Sequence, residues 1–358
     1  MSQPDSNADG SRNLLRSILR FGRYLPLLIL LGLGVHFFLP IIASLENSAR
    51  VLRSMAFGFV ALAFLVEAIS YFGGGYMLTA FVALGKQNLS LGRSVMIWMA
   101  AYSVGLVAGG LASSGAATYR WLNQHGSRRE WAALAGILPS TFNTVVLAGI
   151  AIFGLIQLFI LEHLTQLQLI GFWISMLPTL ALVIVLLLGS TYRPKVEKFV
   201  EWVGSTWARL WKRPFDPSHI RKSLADFYFA WELMRGGKWK RPLLGAAINC
   251  VFDMAALYFV FLAAGHSVGL AVLLTGYGLP LLFGRAAFIL PGGVGIVESS
   301  MAAIYTSLGV PGALSVVVVL AYRLISFWLP ALLGLVAVIV LQGSRRPIID
   351  NGNVNEKD

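Results

Sequence analysis

The sequence predicts an all-α polytopic membrane protein of about eight membrane segments, two of them re-entrant hairpins in an inverted repeat. Three observations predict it. The chain of 358 residues is 57% hydrophobic and only 12% charged, with a mean hydropathy of +0.74, and a soluble domain needs more charge to cover its surface. Several apolar runs reach the roughly 20 residues that span a bilayer as a helix. The basic residues behind the net charge of +12 collect between the apolar runs, where Lys and Arg set orientation and are no sign of a nucleic-acid partner.

The first 23 residues are a polar tail followed by a basic helix. Arg12, Arg16, Arg20 and Arg23 recur every three to four residues with Leu15, Ile18 and Leu19 between them, the pattern of an amphipathic helix on the membrane surface. A signal-peptide n-region is the alternative, but the run that follows is longer than a usual signal core. Residues 24–188 make a first membrane half with apolar segments at Tyr24–Ser44, Ala56–Leu84, Ser94–Ala112, Trp131–Leu161 and Leu169–Leu188. Residues 189–242 form a basic linker, expected to be cytoplasmic. In it Val196, Phe199, Val200, Val203, Trp207, Leu210 and Trp211 fall at helical spacing, as do Leu224, Phe227, Tyr228 and Trp231. These pieces read as interfacial helices on an anionic leaflet, an anchor before a lipid-collecting device. Residues 243–343 make the second half, with segments at Leu243–Ala264, Gly269–Leu290 and Pro311–Leu341, and residues 344–358 a polar cytoplasmic tail.

Charge decides the topology. If all eight segments crossed in turn, residues 189–241, with twelve Lys/Arg against five Asp/Glu, would lie outside together with Arg120, Arg128 and Arg129. Letting the third and seventh segments dip in and return moves every one of these basic stretches inside, along with both termini. Only Arg50 and Arg53 remain as exceptions. One hairpin then enters from each side, as in inverted repeats around a midplane site. Both hairpins carry helix-breaking sequence where they turn: "AGGLASSGAATYR" at Ala108–Arg120 and "LPGGVGIVE" at Leu290–Glu298.

The second of these stretches is the more informative. Pro291 lacks a backbone donor, while Gly292, Gly293 and Gly295 permit positive φ and close approach. A turn followed by a short helix from about Ile296 is expected, with Glu298 in its first turn, where free N–H groups favour a carboxylate or another anion. An ordinary glycine-rich loop with a solvated cap is the other reading of these residues.

"PGGVGIVE" resembles the signature of the lysylphosphatidylglycerol synthase transmembrane-region family, the flippase-like membrane domain of the multiple peptide resistance factor. Pro291, Gly292, Gly293, Gly295 and Glu298 match its Pro-Gly-Gly-aliphatic-Gly-x-x-Glu pattern. Tyr322-Arg323 in the last helix also resembles the family, and "GGLASSGAATYR" is loosely similar to its earlier glycine-rich stretch. Hydropathy and segment order are similar from the first span onward; the eight-residue motif is the specific part. The resemblance implies a multi-pass protein of the cell inner (plasma) membrane that moves or handles polar-headed lipids, such as aminoacylated phosphatidylglycerol or hopanoid-type lipids. The full resistance factor carries a soluble aminoacyl-transferase domain after its membrane part. This chain stops seventeen residues beyond Leu341, so it is not expected to be the complete synthase.

Ionisable side chains at helix centres cost about 2.5–3.5 kcal/mol on the insertion scale, so each needs a role. Glu67 lies mid-span with Ser70, Tyr71 and Gly74 one turn on; Asp253 lies one turn after Asn249; Arg285 precedes the motif and Arg323 lies mid-way along the last helix. With Glu298 and Arg120 they make a candidate headgroup path: Glu67, Arg120, Asp253, Arg285, Glu298 and Arg323. Structural ion pairing is the plainer account of any one of them. As a group they point to a polar cavity.

Three function classes remain. A lipid translocator would hold a phosphate on arginine, whose fixed fork of donors suits it. A membrane-embedded transferase is disfavoured by the lack of HExxH, P-loop, nucleophile-elbow or DxD-like sequence. A non-catalytic partner of a lipid-modifying enzyme is the third. No cofactor is expected: Cys250 is alone and the five histidines are scattered. The partners expected are a membrane phospholipid as substrate, with a lipid-synthesis enzyme and a second copy of the chain as further candidates.

Overall fold

A computed structural model describes residues 55–108, 110–124, 126–161, 236–286, 293–343 and 349–350, with isolated positions between 173 and 232. All the main described stretches fall in one of the chain's two compact units, Ser54–Asp358. The basic N-terminal helix, the segment Tyr24–Ser44, nearly all of the segment Leu169–Leu188 and of the linker, Pro291, Gly292 and the residues after 350 lie outside the described residues.

Helix α1 (Phe57–Leu84) buries a stripe at Ala63, Glu67, Ser70, Gly73, Gly74, Met77, Leu78 and Phe81. These recur every three to four residues, one face of a helix. The other face exposes Phe57, Leu65 and Phe72, the arrangement suited to lipid. The helix stops at Gly85, and Lys86 turns the chain with φ 56°. A two-residue strand, Asn88–Leu89, pairs antiparallel with Ile349–Asp350. Then come α2 (Leu91–Ala108), α3 (Leu111–Gln124) and the long α4 (Arg129–Leu161), with Pro139 inside it.

The second half repeats the order of long helix, short pair, long helix. It comprises α5 (Lys240–Ala263), α6 (Leu270–Ala286), α7 (Ile296–Ser307) and α8 (Gly312–Arg323). A π turn at Leu324–Trp328 joins α8 to α9 (Leu329–Gly343). Among the described residues, four helical stretches are long and apolar enough to cross a membrane: α1, most of α4, α5, and α8 through α9. The apolar helices α2 and α6, of 18 and 17 residues, are shorter than a usual span. The protein is all-α, and among the described residues one pair of two-residue strands is the exception.

The two halves also pack alike. Helices α1 and α5 lie antiparallel, with Ala56 N–H donating to the Ala263 carbonyl at 2.8 Å at one end and Gly245 against Met77 at the other. The short helix α6 packs on α4, the long helix closing the first half, and α2 packs on α9, the end of the second. Small residues allow the approach. A Cβ on Gly73 would sit 2.6 Å from Asn249 N, one on Gly154 2.7 Å from Thr275 N, and one on Gly334 would collide with Ser103 Oγ and Met99 O. Lipid offers no hydrophobic drive between helices, so such close backbone packing supplies the attraction.

One expectation needs correction. The stretch Ala108–Arg120 is not a turn throughout: the chain bends at Gly110 (φ 82°), and α3 starts at Leu111. Gly115 serves contact: it meets Gly136 of α4 so closely that a Cβ on either would lie 2.6 Å from the other's carbonyl oxygen. Both ends of the α2–α3 pair come together. In the α1–α2 loop, Gln87 Nε2 donates to the Gly126 carbonyl at 3.1 Å, and Gln87 Oε1 accepts from Ser127 Oγ at 3.0 Å and Arg128 N–H at 3.3 Å. In the other half, Val268 before α6 and Val310 after α7 belong to one apolar cluster.

Candidate functional site

The site grows from a polar seam between α1, α5 and α4. Ser70 Oγ donates to the Asn249 carbonyl at 2.9 Å, and Asn249 Nδ2 returns the bond to the Ser70 carbonyl, also at 2.9 Å. Asn143 Nδ2 of α4 donates to Asn249 Oδ1 at 3.2 Å. Interhelical bonds of this kind are worth about 0.6–2 kcal/mol each in a membrane; their larger effect is to fix the rotation of three helices. That rotation aims Glu67 and Asp253, one turn from Ser70 and Asn249, into the same space.

Asp253 is fully engaged. Tyr277 of α6 donates to its Oδ2 at 2.9 Å, and Tyr322 of α8 to its Oδ1 at 2.7 Å. Glu67 and Asp253 line the same cavity, each one turn from the interlocked Ser70 and Asn249. Glu67 is 4% exposed, and its Oε2 has no hydrogen-bond partner among the described residues.

The motif supplies the opposite wall. Gly293 and Gly295 have φ of 65° and 87°, a region that L side chains rarely adopt. A Cβ on Gly293 would also come within 2.7 Å of Gly284 Cα. Helix α7 starts at Ile296, and the Gly295 N–H donates to Glu298 Oε2 at 2.6 Å, the reach-back half of a capping box. The other oxygen, Oε1, takes Arg323 Nε at 2.6 Å. Arg323 lies with Cζ 3.8 Å from the centroid of the Phe327 ring. Its Nη2 is buried and has no hydrogen-bond partner among the described residues. The π turn begins at the next residue, and such turns gather at functional sites. Here the Tyr71 hydroxyl of α1 donates to the Ser326 carbonyl in the π turn at 3.0 Å.

Arg285, in the last turn of α6, donates through Nη1 to Thr144 Oγ1 at 2.7 Å and to the Ser140 carbonyl at 3.5 Å. A cation there is favoured by the helix dipole. Pro139 lacks the N–H that α4 would use at that position, which leaves α4 polar backbone beside the same space. These walls enclose a cavity of about 530 Å³ lined by Glu67, Asp253, Arg285, Arg323, Asn143 and Asn249, with Trp98, Tyr102 and Val297 among its less polar surfaces. Glu298 reaches the cluster through Arg323.

Five of the six candidate side chains therefore meet. Arg120 does not. It is exposed on α3 and lines a different cavity of about 610 Å³ with Trp121, Gln124 and Gln342. Pro291 and Gly292 lie outside the described residues. Sequence reasoning passed over Asn143, Thr144, Tyr102 and Tyr277. The signal for the first two was a polar pair four residues after Pro139 in an otherwise apolar run; Tyr277 stands between Gly276 and Gly278. Among the described residues no three His, Cys, Asp or Glu side chains gather to hold a metal ion.

Fold and site together define a multi-pass α-helical membrane protein built around a charged intramembrane cavity. The family model of the lysylphosphatidylglycerol synthase TM region matches residues 27–334, and the chain belongs to that family. Similar proteins include UPF0104 membrane protein PH1989 of Pyrococcus horikoshii, 25% identical over 328 residues that cover 87% of this chain and 96% of that one. A UPF0104 membrane protein of Methanothermobacter thermautotrophicus is 26% identical over 210 residues, 55% of this chain and 59% of that one. UPF0104 membrane protein MJ1595 of Methanocaldococcus jannaschii is 24% identical over 213 residues, 56% and 62% of the two chains.

Proposed function

We propose that the protein is a lipid translocator of the inner membrane: a polar, phosphate-bearing headgroup passes through the cavity while the acyl chains stay in the bilayer. The observation that carries this reading is Arg323. Its Nε is held by Glu298 while its Nη2 is buried at the cavity without a partner. A guanidinium fixed on one edge and free on the other is a preorganised anion receptor. Arg285, from the opposite wall, brings a second positive charge to the same cavity.

The α2–α3 and α6–α7 pairs are re-entrant hairpins in this reading, entering from opposite faces, with four spans among the described residues and both chain termini cytoplasmic. The short α2 and α6, the meeting of the loops at Gln87 and Ser127, and the packing of each hairpin on the other half's long helix support it. Irregular backbone at Gly293–Gly295 is tolerable at membrane depth because it faces protein and cavity. The family membership supports a role with lipids without naming one.

The test is reconstitution of the purified chain in vesicles carrying a headgroup-labelled anionic phospholipid. Faster exposure of the label to an external quencher, with the lipid chemically unchanged by mass spectrometry, is expected. Conversion of the lipid would favour a transferase. Neither outcome, with a co-purifying lipid-synthesis enzyme, would favour a non-catalytic partner.

A further inference from the structure

Glu67 and Asp253 are not used by the anion receptor. They lie on helices from different halves, at the antiparallel α1–α5 seam one turn from the interlocked Ser70 and Asn249, and line the same cavity. Asp253 has a tyrosine hydroxyl on each oxygen, while Glu67 Oε2 is buried and accepts no hydrogen bond among the described residues. Two carboxylates sharing one buried cavity repel, and a proton held by the pair relieves the repulsion. A Gln or Met would fill the Glu67 volume without that conflict, so packing alone gives no reason for a second acid.

We propose that Glu67 and Asp253 form an exchangeable proton site that couples movement of an anionic headgroup to the proton gradient; this rests on the lipid-translocation reading above. The titratable and charged groups that line the cavity with the pair are Tyr71 of α1, Tyr102 of α2, Cys250 of α5, Tyr277 of α6, and Tyr322 and Arg323 of α8. Helix α4 contributes no titratable group to the cavity, its polar side chains there being Ser140 and Asn143, and α7 contributes Glu298 through its bond to Arg323. Arg285 lies farther along the same cavity.

The charges set the direction of coupling. With one proton shared by the pair, Arg285 and Arg323 balance Glu298 and the remaining carboxylate, and the cavity is neutral. A phosphate anion entering leaves one uncompensated negative charge at membrane depth, which is costly. A second proton, taken from water on the headgroup's side, neutralises the remaining carboxylate and restores balance. It leaves to water with the headgroup on the other side. Only O–H bonds form and break, and proton and anionic headgroup travel together.

Two measurements on the full chain test this. Infrared spectra of the purified protein in nanodiscs at neutral pH should show a protonated carboxyl band that is lost or displaced in Glu67→Gln and in Asp253→Asn. A wild-type spectrum without such a band overturns the proton site. In phosphatidylcholine vesicles containing headgroup-labelled phosphatidylglycerol, a gradient of about one pH unit should bias the label away from the acidic side by up to about tenfold for one proton per lipid. Proton uptake should accompany the movement, and in Glu67→Gln rates with and without the gradient should no longer differ. Wild-type movement indifferent to the gradient, without proton flux, sinks the coupling and leaves translocation standing. A protein with the infrared band that moves no lipid under any gradient sinks the translocation reading and the coupling with it.

Discussion

Glu298 satisfies two donors at once, the Gly295 N–H at the start of α7 and the Arg323 Nε. Glu298→Gln keeps one acceptor oxygen and places an NH₂ against the second donor. The helix cap can survive; the ion pair cannot. The variant is expected to express at normal levels and lose lipid translocation, and full activity would reduce Glu298 to a cap. Removing the side chain is harsher: Glu298→Ala leaves a buried guanidinium unpaired, at about 3–5 kcal/mol of stability, measurable as a lowered thermal midpoint in detergent. Arg323→Lys tests the fork itself. A lysine can meet Glu298 or a phosphate but not both edge-on, so partial activity is expected, and wild-type rates would argue against a two-edged arginine. Glu67, Asp253, Arg285 and Arg323 were legible because a charge inside an apolar run advertises itself. Asn143 and Tyr277 were not, because a neutral polar side chain in a membrane helix is common, and only packing shows which cavity it faces. Arg120 stands apart from the other five for the converse reason: its place in a matching glycine-rich stretch said nothing of which face of α3 it occupies.

Among the elements, α7 begins where the motif places it. Positive φ at Gly293 and Gly295 ends the irregular stretch, and Ile296 begins the helix. Gly293→Val would strain the backbone and drive a side chain into Gly284. It should lower both yield of folded protein and activity, whereas Glu298→Gln should lower activity alone; a stable, active Gly293→Val would remove the motif's structural account. Helix α3 was hidden because small residues read as breakers in isolation, yet between two helices they are contacts, as Gly115 against Gly136 shows. The π turn at Leu324–Trp328 was hidden for a different reason. Its sequence is ordinary apolar helix, and the partner that meets its Ser326 carbonyl, the Tyr71 hydroxyl, lies far away in the chain.

At the scale of the whole molecule, the proposed arrangement of hairpins rests on the positive-inside pattern and makes a prediction about sidedness. Cys250 is buried, so single cysteines placed at exposed Ser267 and Arg128 can report sidedness. Ser267→Cys is expected to react with an impermeant reagent from outside, and Arg128→Cys only after permeabilisation; labelling of both from outside would end the inverted-hairpin topology. The all-α membrane fold and its long helices were legible from apolar runs of span length. What joins the halves was not, because antiparallel α1–α5 packing rests on glycines and on Ser70 with Asn249, residues too common in membrane helices to stand out. The central claim is that a lipid headgroup crosses beside Arg323 and not beside Arg120. The direct test is the rate of headgroup-labelled phosphatidylglycerol movement in vesicles holding equal amounts of folded wild type, Arg323→Ala or Arg120→Ala. Wild type and Arg120→Ala should move lipid alike, with Arg323→Ala near the protein-free rate; an Arg323→Ala variant as fast as wild type would contradict the account.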